Sequence, residues 1–459
     1  MSRRVLPALA VTALVAWSLL AFGGGYPWAA LPIVIGAALL AFVTPPRFGG
    51  SSTLRQLDGA LLVCLAAAAF QLVPLPAALL TLISPHGAAF ERAYRVDADL
   101  GAPASASARA LSLSPSSTAY AAVVAGGVLL IFWTARTVFA EGGTRRVARA
   151  VSWLGLLVSL LAIVQRAVSP GRIYGFWRPL EPGAQPLGPI INRNYFATWV
   201  LLALPLTVGY LMAHVQSHRP GRLRPRGVGL LVRSADPRAM WLTIAGSLML
   251  LALVFSTSRA AVVSLLVAAV SGMWIGRRRT DARRIWALAG YAVVAAAVLV
   301  AWANLGALVA RLDDLTTGGP GARLLIWRDT LTLARDFWLT GTGLGSYQTA
   351  MAVYQTGVRE YFYNHAHSQY LQLAAEGGLL LCVPAALAGL AFARAAGERL
   401  RHDTSPIWNV RVGALAGLVA VAVQSVWETG LSLPANGVLA AVLAAIALHR
   451  SSPAGEARH

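Results

Sequence analysis

The chain of 459 residues is 57% hydrophobic and only 12% charged, with a formal net charge of +20 at pH 7. Soluble domains carry about 25% charged residues, so this composition excludes an ordinary soluble protein. All 38 basic residues are arginines, and most lie in short segments between apolar runs. We therefore attribute the charge to membrane topology and not to nucleic acid binding. Cys64 and Cys382 lie inside apolar runs, so no disulfide framework is predicted.

The long apolar runs predict a polytopic all-α membrane protein. A helix of about 20 apolar residues crosses a bilayer while satisfying its own backbone hydrogen bonds. The pattern predicts about 12 spans, namely 5–22, 26–43, 57–73, 117–139, 147–168, 190–213, 239–257, 259–276, 285–303, 368–393, 408–427 and 434–449. Accordingly, 1–303 holds the first nine spans with external loops near 74–116 and 169–189, 304–367 is a large external loop, 368–450 holds the last three spans, and 451–459 is a cytoplasmic tail.

The arginines predict the orientation of the bundle. Of the 38 arginines, 25 fall in seven alternate segments that share one side of the predicted membrane. By the positive-inside rule this side is cytoplasmic, so both termini are placed in the cytoplasm. The external loop 304–367 contains an apolar pattern from Leu324 to Trp338 that predicts a helix over the membrane surface. Long segments of this kind are often lids or binding loops.

The same topology predicts a cationic, histidine-bearing face outside the membrane. Its candidate residues are Arg193, Arg259, Arg323, Arg328, His365 and His367. A guanidinium matches a phosphate or diphosphate in a bidentate fashion, and a polyprenyl diphosphate presents such a head at this surface. Arg259 ends a tight turn between two spans, which favours a function over simple snorkelling to lipid headgroups.

The histidine pair is the strongest candidate for proton chemistry, because histidine titrates near neutral pH and the chain has only 8 of them. If a helix began at Ala366, His367 and Glu376 would lie about 180° apart and could not pair directly. Glu376 is instead predicted to hydrogen-bond Gln372 or another span. Two alternatives remain for the histidines, an interfacial position without catalytic duty and, less favoured, a His-x-His zinc site that lacks neighbouring ligands. The acidic pair Asp313-Asp314 is interpreted as a solvated loop.

Four motifs in order resemble the O-antigen ligase/O-antigen polymerase superfamily. The hallmark is His367-Ser-x-x-Leu-x-x-x-x-Glu376-x-Gly378. The others are Gly188-Pro-Ile-Ile-Asn192-Arg193-Asn194, Ser256-Thr-Ser258-Arg259, and Arg323-Leu-Leu-Ile-Trp327-Arg328 followed by Gly341-Thr-Gly343-Leu-Gly345. Each motif alone is weak, but their order and predicted topological positions strengthen the resemblance, which covers roughly 188–378.

The resemblance implies an inverting, metal-independent GT-C glycosyltransferase in the bacterial inner membrane, without a cofactor and with its active site facing the periplasm. The donor would be a glycan on undecaprenyl diphosphate, and the acceptor a lipid A-core or another glycan. His367 would be the general base. Arg259 and Arg323 would bind the diphosphate, with Arg193 as a further contact and His365, Arg328 and Glu376 as secondary residues.

Several alternatives remain open at the level of sequence. A polymerase of the same superfamily would extend a second lipid-linked repeat, and a related oligosaccharyltransferase would modify a protein. A lipid-linked sugar transporter is disfavoured because few charges lie in the middle of the predicted spans. A non-catalytic envelope scaffold would need no dedicated chemistry at the charged face.

Overall fold

The computed structural model describes residues 5–94, 108–181, 183–217, 236–277, 320–357, 362–403, 405 and 407–449. Helices dominate this part of the chain, and its one small sheet pairs β1 (Pro74–Leu75) with β2 (Arg109–Ala110) in antiparallel fashion. The α-helices in the described ranges are α1 (Val5–Leu20), α2 (Pro27–Val43), α3 (Ser52–Phe70), α4 (Ala77–Ile83), α5 (Pro85–Tyr94), α6 (Pro115–Ala140), α7 (Thr144–Val168), α8 (Arg193–Ser217), α9 (Pro237–Phe255), α10 (Arg259–Gly276), α11 (Pro320–Asp336), α12 (Tyr347–Tyr354), α13 (Gln369–His402), α14 (Trp408–Gln424) and α15 (Pro434–Leu448).

The helices confirm a polytopic all-α membrane protein. Within the described ranges, seven helices are long and apolar enough to cross a membrane, and four shorter ones (α1, α2, α14 and α15) are also apolar. Large apolar side chains such as Leu39, Phe42 and Trp274 are exposed on outward faces, which suits a lipid surrounding. Together these helices coincide with all predicted spans except 285–303, which lies outside the described residues. The total of about 12 spans therefore stays a prediction.

Helix α8 is the most buried of the seven longer apolar helices and organises the others around it. It contacts α7, α9, α14 and α15. A Cβ on Gly209 would come within 2.3 Å of the Asn409 carbonyl oxygen, and one on Gly413 within 2.3 Å of the Pro205 carbonyl oxygen. Only glycine allows two backbones to approach so closely. This contact between α8 and α14 holds the start of α8 beside the turn that follows α14.

Polar contacts divide the helix ends into two groups. The end that lies away from His365 and His367 is called the opposite end. There, ion pairs and hydrogen bonds join helices whose flanks carry the arginine-rich segments. These contacts are Arg136–Asp58 (2.5 Å), Arg411–Asp403 (2.8 Å), Arg47–Glu141 (3.0 Å), Thr53–Glu398 (2.8 Å) and Asn409–Gln216 (2.6 Å). The other end, here called the site end, contains the starts of α8, α10, α13 and α15. The assignment of the two ends to cytoplasm and exterior remains a prediction.

Candidate functional site

The hallmark motif forms the entry to α13. Ser368 is the N-cap residue, and its hydroxyl oxygen accepts a hydrogen bond from the backbone N–H of Leu371 (3.4 Å). His367, just before the cap, has a φ of 49°, a left-handed conformation that is strained for a residue with a side chain. The helix therefore begins at Gln369, and the assumption of a helix from Ala366 was wrong. The capping serine turns the chain, so that His367 precedes the helix and does not lie on one of its faces.

Glu376 anchors the glycine-rich turn 341–345. Its carboxylate accepts hydrogen bonds from the backbone N–H groups of Gly345 (2.9 Å) and Tyr347 (3.2 Å) and from the Gln372 side chain (3.2 Å). The predicted contact with Gln372 is therefore present. Gly378, with a φ of 54°, interrupts α13, and a Cβ there would lie 2.5 Å from the backbone nitrogen of Gly341. The geometry thus assigns Glu376 and Gly378 to docking of this turn.

Gln71, at the end of α3, secures the same turn from the other side. Its side-chain amide donates to the carbonyl oxygens of Thr340 (2.8 Å) and Glu376 (2.9 Å) and accepts from the backbone N–H of Leu344 (3.0 Å). Gln71 is fully buried, so each of these hydrogen bonds compensates for a polar group removed from solvent. The turn is therefore fixed between α3 and α13.

Arg323 lies on α11 and forms an ion pair with Glu428 at 3.0 Å. Glu428 lies in the turn between α14 and α15 and is 4% exposed, whereas the Arg323 side chain is 41% exposed. The Asn194 side chain also donates to the Glu428 carboxylate (3.0 Å). Burial raises the pKa of Glu428, and the positive charges of Arg323 and Arg193 counteract that rise. Glu428 thereby joins two motifs that are more than a hundred residues apart in the chain.

Glu428 was missed by the sequence analysis. It follows the apolar span of α14 in Ser425-Val426-Trp427-Glu428, and it is the one charged residue between Arg411 and His449. A buried acid between two spans, on the side that carries the histidines, is a usable signal, because the predicted topology already places this turn at the site end. The partners of the acid could not be derived, since Arg323 and Asn194 lie on two other helices whose packing is not encoded locally.

The two histidines lie beside this ion pair in a poorly solvated environment. Burial lowers the pKa of His367 to about 4, with further lowering by the nearby charges of Arg323 and His365. Burial also lowers the pKa of His365. The ring of His365 meets that of Tyr195 edge to face, with centroids 6.1 Å apart. Both imidazoles are consequently neutral at pH 7 and able to accept a proton.

Two polar atoms near these residues have no hydrogen-bond partner within the described ranges. They are Nδ1 of His365 and the Nε1–H of Trp327, both shielded from solvent. Trp327 follows Arg323 by four residues on α11, so the two side chains lie on the same helical face. Similar atoms occur elsewhere in the described residues, for example in Thr134 and Gln424, so these two atoms do not by themselves define a ligand site.

Two predicted residues are not joined to this group. Arg259 is the first residue of α10 and is exposed, and the described contacts include no hydrogen bond or ion pair from it to the histidines or to Arg323. The turn before it is strained, with a φ of 52° at Thr257. Arg328 is exposed, and it lies about 140° around α11 from Arg323, so the two arginines point in different directions.

The structure brings together a smaller set than the sequence predicted. We call His365, His367, Arg323, Arg193 and Glu428 the candidate site. Among the described residues, no three side chains of His, Cys, Asp or Glu gather as a metal site would require. The pair Asp313-Asp314 lies outside the described residues.

Fold and site together define a polytopic helical membrane protein with a histidine–arginine cluster at one end of its bundle. Residues 244–386 match the family model described as O-antigen ligase, which confirms the resemblance seen in the motifs. This part of the chain is O-antigen ligase-like, and it contains His367, Arg259 and Arg323 but neither Arg193 nor Glu428. No curated protein matches the chain.

Proposed function

We propose that this protein is a membrane glycosyltransferase that moves a glycan from undecaprenyl diphosphate to the hydroxyl of an acceptor sugar. The observation that carries the proposal is the grouping of a neutral, strained His367 with the half-exposed side chain of Arg323 at one end of a membrane bundle. A proton acceptor and a fixed cation are the two elements that such a displacement needs when no bound metal assists it.

The reaction is a single displacement. The oxygen of the acceptor hydroxyl attacks the anomeric carbon of the donor, and the bond from that carbon to the diphosphate oxygen breaks. The hydroxyl proton passes to the neutral imidazole of His367. The electron pair leaves with the diphosphate, whose growing negative charge is stabilised by Arg323, with Arg193 and Arg259 as further contacts. Attack from the face opposite the leaving group inverts the anomeric centre.

Donor binding also solves a problem posed by the pKa of His367. A base with a pKa of about 4 accepts protons weakly at neutral pH. Part of this lowering comes from the positive charge of Arg323. A bound diphosphate compensates that charge, and its own negative charge favours the imidazolium. His367 therefore becomes a better base when the donor is in place.

Glu428 is proposed to position Arg323. The carboxylate is buried and held by Asn194, while the guanidinium remains half-exposed. One side of the guanidinium is thus fixed by the protein, and its other N–H groups remain available to a diphosphate. Glu376 takes no part in this chemistry, because its carboxylate is occupied by the turn 341–347.

The test is reconstitution of the full chain with an undecaprenyl diphosphate-linked glycan and alternative acceptors. A new glycosidic bond of inverted configuration, identified by mass spectrometry and NMR, is expected. A single glycan on lipid A-core would identify a ligase, and a ladder of lengths on undecaprenyl diphosphate a polymerase. Movement of the lipid-linked glycan across vesicles without any new bond would contradict the proposal and favour a transporter.

A further inference from the structure

A second charged feature lies at the opposite end of the bundle, far from the candidate site in the fold. A cavity of about 190 Å³ opens between α7, α8 and α9. It is lined by Arg149, Trp153, Tyr210, His214, Arg238 and Trp241. Each helix contributes residues spaced by three or four positions, so their side chains point in the same direction. The lining is therefore a consequence of helix geometry and not of a loop.

The cavity is charged at the surface and aromatic inside. Arg149 and Arg238 are exposed, whereas Tyr210 and His214 are buried. Trp153 and Trp241 both line the cavity and stack on each other with ring centroids 4.5 Å apart, which adds an apolar aromatic pair to its surface. Such a gradient fits an amphipathic ligand that has an anionic group outside and an apolar part within.

Both arginines are available to a ligand. In the described residues, neither guanidinium lies within ion-pair distance of a carboxylate. The nearby Asp236 is already engaged, since it hydrogen-bonds His214 and accepts from the backbone N–H of Arg238 (3.0 Å). Two positive charges thus lie at one cavity beside the single negative charge of Asp236, and two guanidinium groups suit a phosphate.

We propose that this cavity binds the phosphate and glycerol of an anionic phospholipid. Three observations carry the assignment: the paired arginines, the stacked tryptophan pair, and a location where apolar helices meet the polar surface. The arginine-rich end is predicted to be cytoplasmic, and anionic lipid headgroups attract cationic side chains there. The site is independent of glycan transfer.

The experiment measures lipid binding to the full chain in detergent by native mass spectrometry. The wild-type protein is expected to bind phosphatidylglycerol more tightly than phosphatidylcholine. Arg149→Gln and Arg238→Gln should each weaken phosphatidylglycerol binding about fivefold, and the double variant about 25-fold. Arg55→Gln is the matched control, because Arg55 is exposed at the same end of the bundle but does not line the cavity. This control should bind as the wild type does.

Three results would overturn the proposal. The double variant could retain full preference for phosphatidylglycerol, or Arg55→Gln could lose as much as the cavity variants, which would indicate unspecific surface attraction. Displacement of phosphatidylglycerol by millimolar inorganic phosphate at matched ionic strength would assign the cavity to free phosphate. Thermal unfolding of each variant checks its folding, and exposed arginines are expected to tolerate replacement.

Discussion

Two arginine–carboxylate pairs, one at each end of the bundle, differ mainly in exposure. At the opposite end, Arg136 and Asp58 are 7% and 5% exposed, and Asp58 also accepts from Trp133 (3.0 Å) and the backbone N–H of Gly49 (3.1 Å). At the site end, Glu428 is equally buried, but Arg323 is 41% exposed. The first pair is closed on itself and links α3 to α6. The second fixes the acid but leaves the arginine side chain partly exposed, so only the second pair is a candidate for anion binding.

The largest effect is expected from His367→Ala. If His367 is the proton acceptor, as proposed, its removal should lower glycan transfer by about 10²–10⁴-fold, because a positioned base typically contributes that much. Transfer is measured with purified protein and a lipid-linked donor. The control is Arg55→Gln at the opposite end, which should transfer normally. Transfer near the wild-type rate by a well-folded His367→Ala protein would remove His367 from the mechanism, and His365→Ala would then be the next variant.

Replacement of Arg323 is expected to lower glycan transfer nearly as much as replacement of His367. Arg323→Gln should lower kcat by about 10²–10³-fold, because a fixed donor to the developing charge is lost. Arg323→Lys keeps the charge but not the planar fork, so only partial activity should return. Steady-state kinetics would check both variants. Equal activity of the glutamine and lysine variants would show that charge is not what Arg323 contributes.

Replacing the acid of each ion pair by the corresponding amide compares the two pairs directly. Glu428→Gln should lower kcat by about 10–100-fold through misplacement of Arg323, with little loss of stability. Asp58→Asn should instead destabilise the fold by about 3–5 kcal/mol, since it leaves Arg136 buried without its counter-charge. Thermal unfolding and kinetics of both variants are needed. If Glu428→Gln mainly lowered stability and Asp58→Asn mainly lowered kcat, the distinction of the two ion pairs by their exposure would be wrong.

The smallest effect is a shift in pH dependence. The pKa of His367 is lowered from 6.5 to about 4, so kcat/KM, which reports the free enzyme, should fall only near pH 4. The acid limb of kcat should lie higher, because bound diphosphate raises the pKa. Arg323→Gln should move the kcat/KM limb upward by removing a positive charge. The acid limbs of three profiles are compared: wild-type kcat/KM, wild-type kcat, and kcat/KM of Arg323→Gln. If all three fell at the same pH, the electrostatic coupling of His367 to Arg323 and to the diphosphate would be contradicted.

The lowered pKa of His367 also determines how its contribution to folding stability changes with pH. Because the folded pKa lies below the unfolded value, folding favours the neutral imidazole. This contribution is fully present above pH 6.5 and is lost as the pH falls from 6.5 to about 4. Below the folded pKa, no further loss from His367 is expected.

The sequence was informative where the physics is local. Hydropathy located the described spans because a bilayer requires continuous apolar helices. The turn at Arg259 and the helix near Leu324 were predicted from short patterns, and the structure has α10 beginning at Arg259 and α11 at Pro320–Asp336. The contact between Gln372 and Glu376 also followed from helical spacing.

Contacts between distant segments could not be predicted. Glu428 meets Asn194 because α8 packs against α14 through glycines, and it meets Arg323 because α11 is placed at the same end of the bundle. The strained backbone of His367 depends on where the helix begins, and helix starts are the least certain part of a prediction from sequence. Glu376 was considered a secondary site residue, but its partners Gly345 and Tyr347 lie in another segment, and they give it a structural role.

The hydrogen bond between Gln71 and the carbonyl oxygen of Glu376 joins residues 305 positions apart. A nascent chain therefore inserts α3 long before its partner is synthesised. Until Thr340 is synthesised, the side-chain amide of Gln71 has no native partner and must remain hydrated or bound to other groups. The glycine-rich turn can consequently seat only late in biogenesis. A chain truncated before Thr340 would leave the side chain of Gln71 without any of its native partners at the end of α3.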